Sequence, residues 1–315
     1  MVNPVVAGID GSAESLAAAE WAAREAKLRG LPLKLVHVWE PVPEPMAQAP
    51  LLGAETLRHW SERSDMGVPP AEGWGRIPRG AAEGLRVRHP EVDVTVEQIS
   101  GRPGEVLTRV AKDAELLVLG SRGLSGIGGF LVGSVGQLVV AHSERPVILV
   151  RAGEQTADEH AVDPAGIPSG DGTPFRPVVL GLDTDHPHDT VIAFAFDAAA
   201  RRETTLRVVH GWNPPPYYAY AIPADPELGP ELRKQQATLL TEALTPWRQK
   251  FPAVDVVEVP RWGSAAHHIV DASREASLVV VGRRIRRSPL GAHIGPVTHA
   301  VLHHAAAPVA VIAHD

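Results

Sequence analysis

The chain has 315 residues, 37 acidic and 30 basic side chains, a formal net charge of −7 and no cysteine. This length predicts two domains. The lack of cysteine excludes disulfides, thiol catalysis and cysteine-ligated zinc sites, and it is compatible with a reducing cytoplasm. A modest negative charge without a polybasic tract argues against nucleic-acid or lipid binding. No apolar run reaches membrane-spanning length, and the first strand begins too early for a signal peptide, so we expect a cytoplasmic protein.

The predicted elements alternate between short β-branched runs and helical patterns such as residues 15–29 and 231–250. This alternation is typical of a parallel sheet covered by helices on both faces, so the predicted fold class is α/β and doubly wound. Ligands of such sheets bind beyond the carboxyl ends of the strands. Asp10, Val38 and Gly120 all follow or end predicted strands, which predicts one crevice.

The sequence repeats once. Four segments recur in the same order: residues 4–10, 33–39, 115–120 and 145–151 match residues 177–183, 206–212, 277–282 and 307–312. Residues 152–173 are rich in Gly, Pro, Asp, Glu and Ala and lack apolar periodicity, which predicts a flexible surface linker. We therefore predict two tandem domains at 1–152 and 174–315, joined by a linker at 153–173.

A glycine-rich segment of the first copy joins a predicted strand to a predicted helix. Gly120 and Gly123 follow the apolar run 116–119, and Gly133 with Ser134 comes nine residues later, before a helical run. Backbone N–H groups and the positive end of a helix dipole converge at such a turn, which predicts an anion site. No lysine follows Gly133 and no third glycine closes a dinucleotide fingerprint, which argues against a P-loop enzyme and a standard dehydrogenase.

These motifs resemble those of the universal stress proteins. Nucleotide-binding members of that family carry glycine, two residues, glycine, nine residues, glycine and Ser/Thr, and the first copy matches this pattern completely. A first strand ending in an aspartate, Asp10, and a second strand ending in His37 and Val38 also match. The resemblance covers nearly the whole chain. It implies a Rossmann-like, adenine nucleotide α-hydrolase-like domain in each copy, with strand order 3-2-1-4-5.

The resemblance also implies ATP as the ligand, with or without Mg²⁺. The nucleotide-binding residues it implies in the first copy are Gly8, Asp10, Val38, Gly120, Arg122, Gly123, Gly133, Ser134 and Val135. Asp10 would contact ribose, adenine or a Mg²⁺-bound water, Val38 would offer backbone groups to adenine, and the glycines would let backbone approach phosphate. An Asx turn or helix cap is the alternative for Asp10, and a structural turn for the glycines. Arg122 and Ser125 lie in the loop, where an arginine is more often solvated.

The second copy departs from this pattern. It keeps Asp183, Gly282 and Gly295 but has Ile285 at the second glycine and Pro296 at the serine. Isoleucine disfavours positive φ and proline has neither N–H nor hydroxyl, so we expect this copy to bind nucleotide weakly or not at all. Four arginines follow Gly282 in this copy: Arg283, Arg284, Arg286 and Arg287. Their side chains can hold phosphate in place of the missing groups, although we favour a solvated or partner-facing role for this cluster.

Two further features carry weaker signals. Gly and Pro between Gly67 and Gly84 predict a short or broken helix, and the nearby Trp60, Met66 and Trp74 form either a lid, an interaction surface or an irregular packed loop. His299 and His303 have helical spacing but no evident third ligand, so no metal site is predicted. No Gly-x-Ser-x-Gly elbow occurs, so a hydrolase triad has no anchor.

Three functions remain open. The first is an ATP-binding, nucleotide-dependent stress-response regulator that acts on unidentified protein partners and is not a metabolic enzyme. The second is a slow ATPase or self-phosphorylating protein, for which the sequence offers no dedicated base, although Asp10 or Ser12 can serve with Mg²⁺. The third is a nucleotide-independent scaffold. Because the closing strands of the copies can pair, we expect an internal pseudo-dimer, with further homodimer formation left open.

Overall fold

The computed structural model describes residues 2–40, 76–123, 130–131, 133–161, 173–214, 227–285 and 294–315. The interpretations given above for Trp60, Met66, Trp74, Ser125, Arg286 and Arg287 fall outside them.

The first copy consists of β1 (Val5–Gly8), α1 (Ala13–Arg29), β2 (Leu33–Trp39), α2 (Arg76–Arg88), β3 (Val94–Ser100), α3 (Pro103–Ala111), β4 (Leu116–Gly123), β5 (Phe130–Leu131), α4 (Ser134–His142) and β6 (Val147–Arg151). A short helix, α5 (Thr156–Glu159), follows.

The second copy consists of β7 (Val178–Gly181), α6 (Asp189–Arg201), β8 (Leu206–Trp212), α7 (Leu228–Lys250), β9 (Val256–Trp262), α8 (Ala265–Ala272), a 3₁₀ turn at Ser273–Glu275, β10 (Leu278–Arg284), α9 (Pro296–His304) and β11 (Val309–His314).

The strands form one continuous sheet in the order β3-β2-β1-β4-β6-β11-β10-β7-β8-β9, with the short β5 paired to β4. Within each copy the main strands are parallel and follow the order 3-2-1-4-5, so the predicted α/β fold is confirmed. The copies meet where β6 and β11 pair antiparallel, with Val147 opposite Val311 and Leu149 opposite Val309. The pairing expected between the closing strands is therefore present.

Helices cover both faces of the sheet because alternate strand residues are apolar on both sides. Val5 and Ala7 pack into one core with α1, α2, α6 and α7, whereas Val6 packs into the other with α3, α4, α8 and α9. Burying each Val or Leu side chain contributes about 1.5–3 kcal/mol, so the sheet is stabilised from both faces. None of the helices in the described part of the chain is long and apolar enough to cross a membrane.

The helix expected to be short or broken in the first copy is α2. It has 13 residues, against 23 in its counterpart α7. Residues 67–75 of the irregular segment lie outside the described residues. The difference in helix length is thus one place where the two copies diverge.

Residues 154–160 differ from the flexible surface linker expected from composition. They contain α5, and Glu154, Glu159 and His160 are buried. Arg24 of α1 donates from Nε to Glu159 Oε1 at 3.2 Å. Composition missed this packing because the buried acid finds its partner more than a hundred residues away.

A buried carboxylate holds the two copies together beside the sheet. Glu25 of α1 accepts hydrogen bonds from Arg29 Nε at 2.6 Å and from Arg202 Nη2 at 2.6 Å, and Arg202 follows α6 of the second copy. Glu25 and Arg202 are each 1% exposed in their side chains. Burial opposes ionisation, but the two guanidiniums outweigh it and hold the pKa of Glu25 below its usual value.

Glu25→Ala should therefore lower the free energy of unfolding by about 3–5 kcal/mol, because Arg202 is left buried without its anionic partner. Urea denaturation measures this. Glu275→Ala is the matched control, since the exposed pair of Glu275 with Arg207 contributes less than about 1 kcal/mol. Equal small losses in both variants would show that the buried pair does not stabilise the junction.

A second prediction concerns Glu154, which is 6% exposed and has Arg151 Nη2 at 3.7 Å from Oε2. Burial raises the pKa of Glu154 from 4.5 to about 7. The contribution of protonated Glu154 to the free energy of unfolding is complete below pH 4.5, where Glu154 is protonated in both the folded and the unfolded state. This contribution is lost as pH rises through about 7, where Glu154 must ionise in the folded state. Stability should therefore fall over this window by up to about 3 kcal/mol.

Glu154→Gln should remove this pH dependence and unfold at higher urea concentration than wild type at alkaline pH. Denaturation curves across the window test it, with Glu105→Gln on an exposed side chain as the control. A wild-type profile that Glu154→Gln leaves unchanged would contradict the assignment.

Candidate functional site

The turn from β1 into α1 is organised by Asp10. Its Oδ1 accepts hydrogen bonds from Ser12 N at 3.0 Å and from Ser12 Oγ at 2.6 Å, which forms an Asx turn. Ser12 Oγ in turn accepts from Ser15 N at 3.2 Å and caps α1. Gly11 between them has φ of +86°, where side chains are strained. The Asx-turn role raised for Asp10 is therefore present, whereas the cap belongs to Ser12.

The carboxylate of Asp10 is nevertheless exposed at the sheet edge. Partial burial opposes its ionisation, but hydrogen bonds from Ser12 and Ser15 outweigh this and lower its pKa. Asp10 is thus ionised at neutral pH and can still accept hydrogen bonds from a ligand hydroxyl.

His37 fixes the end of β2 to the end of β1. Its Nδ1 lies 2.8 Å from Ile9 O, and the second copy repeats the contact between His210 Nδ1 and Leu182 O at 3.0 Å. The motif that suggested a nucleotide contact at Val38 therefore includes a histidine with a structural role. Because β1, β2 and β4 are parallel neighbours, Asp10, Val38 and Gly120 lie close to the carboxyl ends of these strands, on the same side of the sheet, as predicted.

Gly120 has a packing role as well. A Cβ at this position would lie 2.5 Å from the carbonyl carbon of Glu14 and 2.8 Å from Ser15 N. The first turn of α1 therefore rests directly on β4. Gly8 is similarly constrained, because a Cβ there would lie 2.6 Å from Leu119 Cδ2.

The N-terminus of α4 completes the first-copy site. Gly133 caps the helix with φ −62° and ψ 161°, without a side-chain cap bond, and Ser134 is exposed. The N–H groups of the first turn have no intrahelical acceptor, and the helix dipole adds partial positive charge there. Val135 packs partly against the core. On the other side of the loop, the backbones of Arg122 and Gly123 pair with β5.

In the second copy, the predicted residues Asp183, Gly282 and Gly295 line one cavity. It has a volume of about 430 Å³ and lies at the carboxyl ends of β7, β10 and β11, beside the N-terminus of α9. Asp183 again makes an Asx turn, accepting from Asp185 N at 3.1 Å. In the described residues, no group of three or more His, Asp or Glu side chains is arranged to hold a metal ion.

Proline at the start of α9 leaves the backbone of the helix terminus as it is in α4. Gly295 has φ −60° and ψ 155°, close to the angles of Gly133. Pro296 occupies the first helical position, where an N–H has no intrahelical acceptor in any case. The second copy therefore loses one N–H and one hydroxyl but keeps a helix N-terminus at the cavity.

The two described members of the arginine cluster differ, and the burial of Arg283 corrects the solvated or partner-facing role favoured above for that residue. Arg283 is 4% exposed and donates from Nη2 to Ser143 O at 2.6 Å, across the junction between the copies. Burial lowers the pKa of its guanidinium. Arg284 is exposed, and both arginines line the cavity. Alternation along β10 explains the split, because successive side chains point to opposite faces.

Sequence reasoning missed three histidines of the cavity wall, His186, His188 and His314. The only signal was indirect. Three extra residues separate the first-strand aspartate from the next helix in the second copy, and two of the histidines lie in this longer turn.

The packing role of Gly120 generates a prediction. Gly120→Ala should destabilise the protein by about 1–3 kcal/mol, because backbone atoms of α1 must move. Gly295→Ala is the control, since no atom of the described residues lies within 4 Å of its Cβ position and its φ suits alanine. Thermal denaturation distinguishes them, and a Gly120→Ala variant as stable as Gly295→Ala would refute the close contact.

Comparison with known proteins identifies the family. The Universal stress protein family matches residues 1–151 and again 174–313. A universal stress protein of Mycobacterium tuberculosis is 32% identical over 315 residues, covering 98% of this chain and 96% of the relative. One from Mycolicibacterium smegmatis is 29% identical over 311 residues, with 98% and 96% covered. The crystal structure of a universal stress protein from Archaeoglobus fulgidus superposes with a TM-score of 0.61 at 16% identity, covering 99% of both chains. The chain therefore belongs to the universal stress protein family, with two copies of the family domain in tandem.

Proposed function

We propose that the protein is a nucleotide-dependent stress-response regulator that binds ATP in its first copy. The observation that carries the proposal is the placement of the Asp10 turn, the carboxyl end of β2 and the glycine-rich segment of β4 and α4 at one end of one parallel sheet. Ligands of open α/β sheets bind at this end. Family membership supports the same ligand class.

The phosphates would lie at the start of α4. The first-turn N–H groups of Ser134 and Val135 and the exposed Ser134 hydroxyl can donate to phosphate oxygens, and the helix dipole favours the negative charge. Gly133 has no side chain to obstruct this approach. Mg²⁺ brought in with ATP prefers oxygen ligands, and Asp10 can bind one of its waters.

The nucleoside would lie toward β1 and β2. The ionised carboxylate of Asp10 can accept from ribose hydroxyls, and the backbone of Val38, the last residue but one of β2, lies level with it across the strand register. The His37 contact to Ile9 O holds these two strand ends together. Both groups that would recognise the nucleoside, the Asp10 carboxylate and the Val38 backbone, are already in place, so binding requires no change in the fold.

The geometry favours binding over hydrolysis. A general base works best with a pKa near the operating pH, whereas the pKa of Asp10 is lowered. The Ser12 hydroxyl already donates to Asp10 and accepts from Ser15 N. Both groups suggested as a base are thus engaged in the turn. We therefore propose a binding switch in the cytoplasm, in which ATP changes the charge and shape of this edge for a partner protein.

Calorimetric titration of the full chain with ATP and Mg²⁺ tests the proposal. We expect one tight ATP site, lost in the double variant Gly123→Ile, Ser134→Pro, which copies the second loop into the first. Asp10→Ala should weaken binding about tenfold through a lost hydrogen bond to a charged group. Asp183→Ala, at the matching position of the second copy, is the control and should leave this site unchanged.

Absence of ATP binding to the wild-type chain would refute the switch and favour the scaffold. Phosphate release that Asp10→Ala abolishes while ATP still binds would instead establish the slow ATPase. These two measurements separate the three functions.

A further inference from the structure

The cavity of the second copy has a histidine wall with no counterpart in the described residues of the first copy. In the first copy, Ser12 caps the helix two residues after Asp10, whereas in the second His188 caps it five residues after Asp183. His186 lies within the added residues. The third histidine, His314, ends β11 at the position that Ala152 takes after β6, as the strand registers show.

The longer turn before α6 leaves space for the cavity in the second copy. In the first copy the backbone of α1 fills the position above Gly120, at 2.5 Å from a Cβ. A Cβ at the matching Gly282 would instead meet side-chain atoms of the described residues. It would lie 2.9 Å from His314 Nε2 and 3.4 Å from Val191 Cγ2. Gly282 therefore makes room for an imidazole ring and not for a helix.

The hydrogen bonds of two rings assign their free nitrogens. His188 Nδ1 lies 3.0 Å from Thr190 Oγ1 and 3.4 Å from Thr190 N, and because the backbone N–H can only donate, Nδ1 accepts and the neutral ring carries its proton on Nε2. His314 Nδ1 lies 3.1 Å from Asp315 O and must donate to it, so its Nε2 is an acceptor until the ring is protonated. The rings lie side by side, with centroids 4.8 Å apart. A proton taken up at His314 Nε2 turns the pair into two donors.

The charges around His314 favour an anion. Burial is the main cause that lowers the pKa of His314, and His188, Arg284 and Arg283 lower it further. Among the described residues that line the cavity, the only acidic side chain is Asp183, which is largely exposed and lies 3.6 Å from His186 Nδ1. The groups that surround the ring are His188 at the start of α6, Arg283 and Arg284 of β10, the Asp183 and His186 turn after β7, and the Asp315 carbonyl.

We propose that this cavity binds the phosphate group of a small ligand, held by His188, His314, Arg284 and the first-turn N–H groups of α9, with uptake of a proton at His314. A volume of about 430 Å³ accommodates a small molecule. The apolar wall formed by Val209, Ile269 and Val281 suits the organic part of such a ligand. The site is separate from the ATP site of the first copy and does not depend on it.

Proton uptake follows from electrostatics. An anion within hydrogen-bond distance of an imidazole stabilises its charged form and raises its pKa. Binding and protonation are thus linked, and affinity must rise as pH falls. Protonation of His188 at Nδ1 must break its bond from Thr190 N–H at 3.4 Å and reverse its contact with Thr190 Oγ1 at 3.0 Å, whereas protonation of His314 at Nε2 breaks no hydrogen bond shown among the described residues. His314 is therefore the group whose removal should abolish the pH dependence.

The test is calorimetric titration of the Gly123→Ile, Ser134→Pro variant, so that the first copy does not contribute, with AMP, inorganic phosphate and sulfate. We expect binding about tenfold tighter near pH 6 than near pH 8. Sulfate does not change its charge over this range, so its pH dependence reports the protein alone. Titration in two buffers of different ionisation enthalpy measures the proton taken up.

His314→Gln should abolish both the proton uptake and the pH dependence, with circular dichroism confirming that the variant is folded. His267→Gln, an exposed histidine of α8 outside the cavity wall, is the matched control and should behave as its parent. AMP binding more tightly than phosphate would identify an organic phosphate as the ligand, and equal affinity would identify free phosphate. Binding that is independent of pH, a pH dependence that survives His314→Gln, or no binding of any probe would overturn the proposal.

Discussion

The structure depends on the antiparallel pairing of β6 with β11. Each copy on its own would present its fifth strand as an exposed edge with unpaired N–H and C=O groups, and such edges promote aggregation. Pairing the two edges satisfies both strands. The ion pairs of Glu25 with Arg29 and Arg202 reinforce the same junction from one face of the sheet.

The same pairing sets the positions of the two sites. The strands of each copy are parallel to one another, but the two sets of strands run in opposite directions. The carboxyl ends of the first set therefore lie on the side of the sheet where the second set has its amino ends. The turn of Asp10 and the cavity bordered by Asp183 therefore face away from each other. A single ligand therefore cannot bridge them.

Much of this fold follows from the sequence, because repeated apolar strands and the Gly-rich turns are local signals. The strand order came from the resemblance, and α2 was shortened as its Gly and Pro content indicated. The functions of single residues were harder to predict. Arg283 belongs to an arginine run, yet it is buried because β10 extends through it. The ring of His314 meets His188 only through folding, since the two lie far apart in sequence.

The bond from Arg283 to Ser143 O has a mechanical consequence. Ser143 caps the C-terminus of α4, whose other end is the proposed phosphate-binding terminus of the first copy, and Arg283 follows Gly282 in the wall of the second cavity. A helix of nine residues is roughly 13 Å long and resists bending. The helix therefore spans the distance between the Arg283 contact at one end and the proposed phosphate-binding terminus at the other, so the two copies share one rigid element.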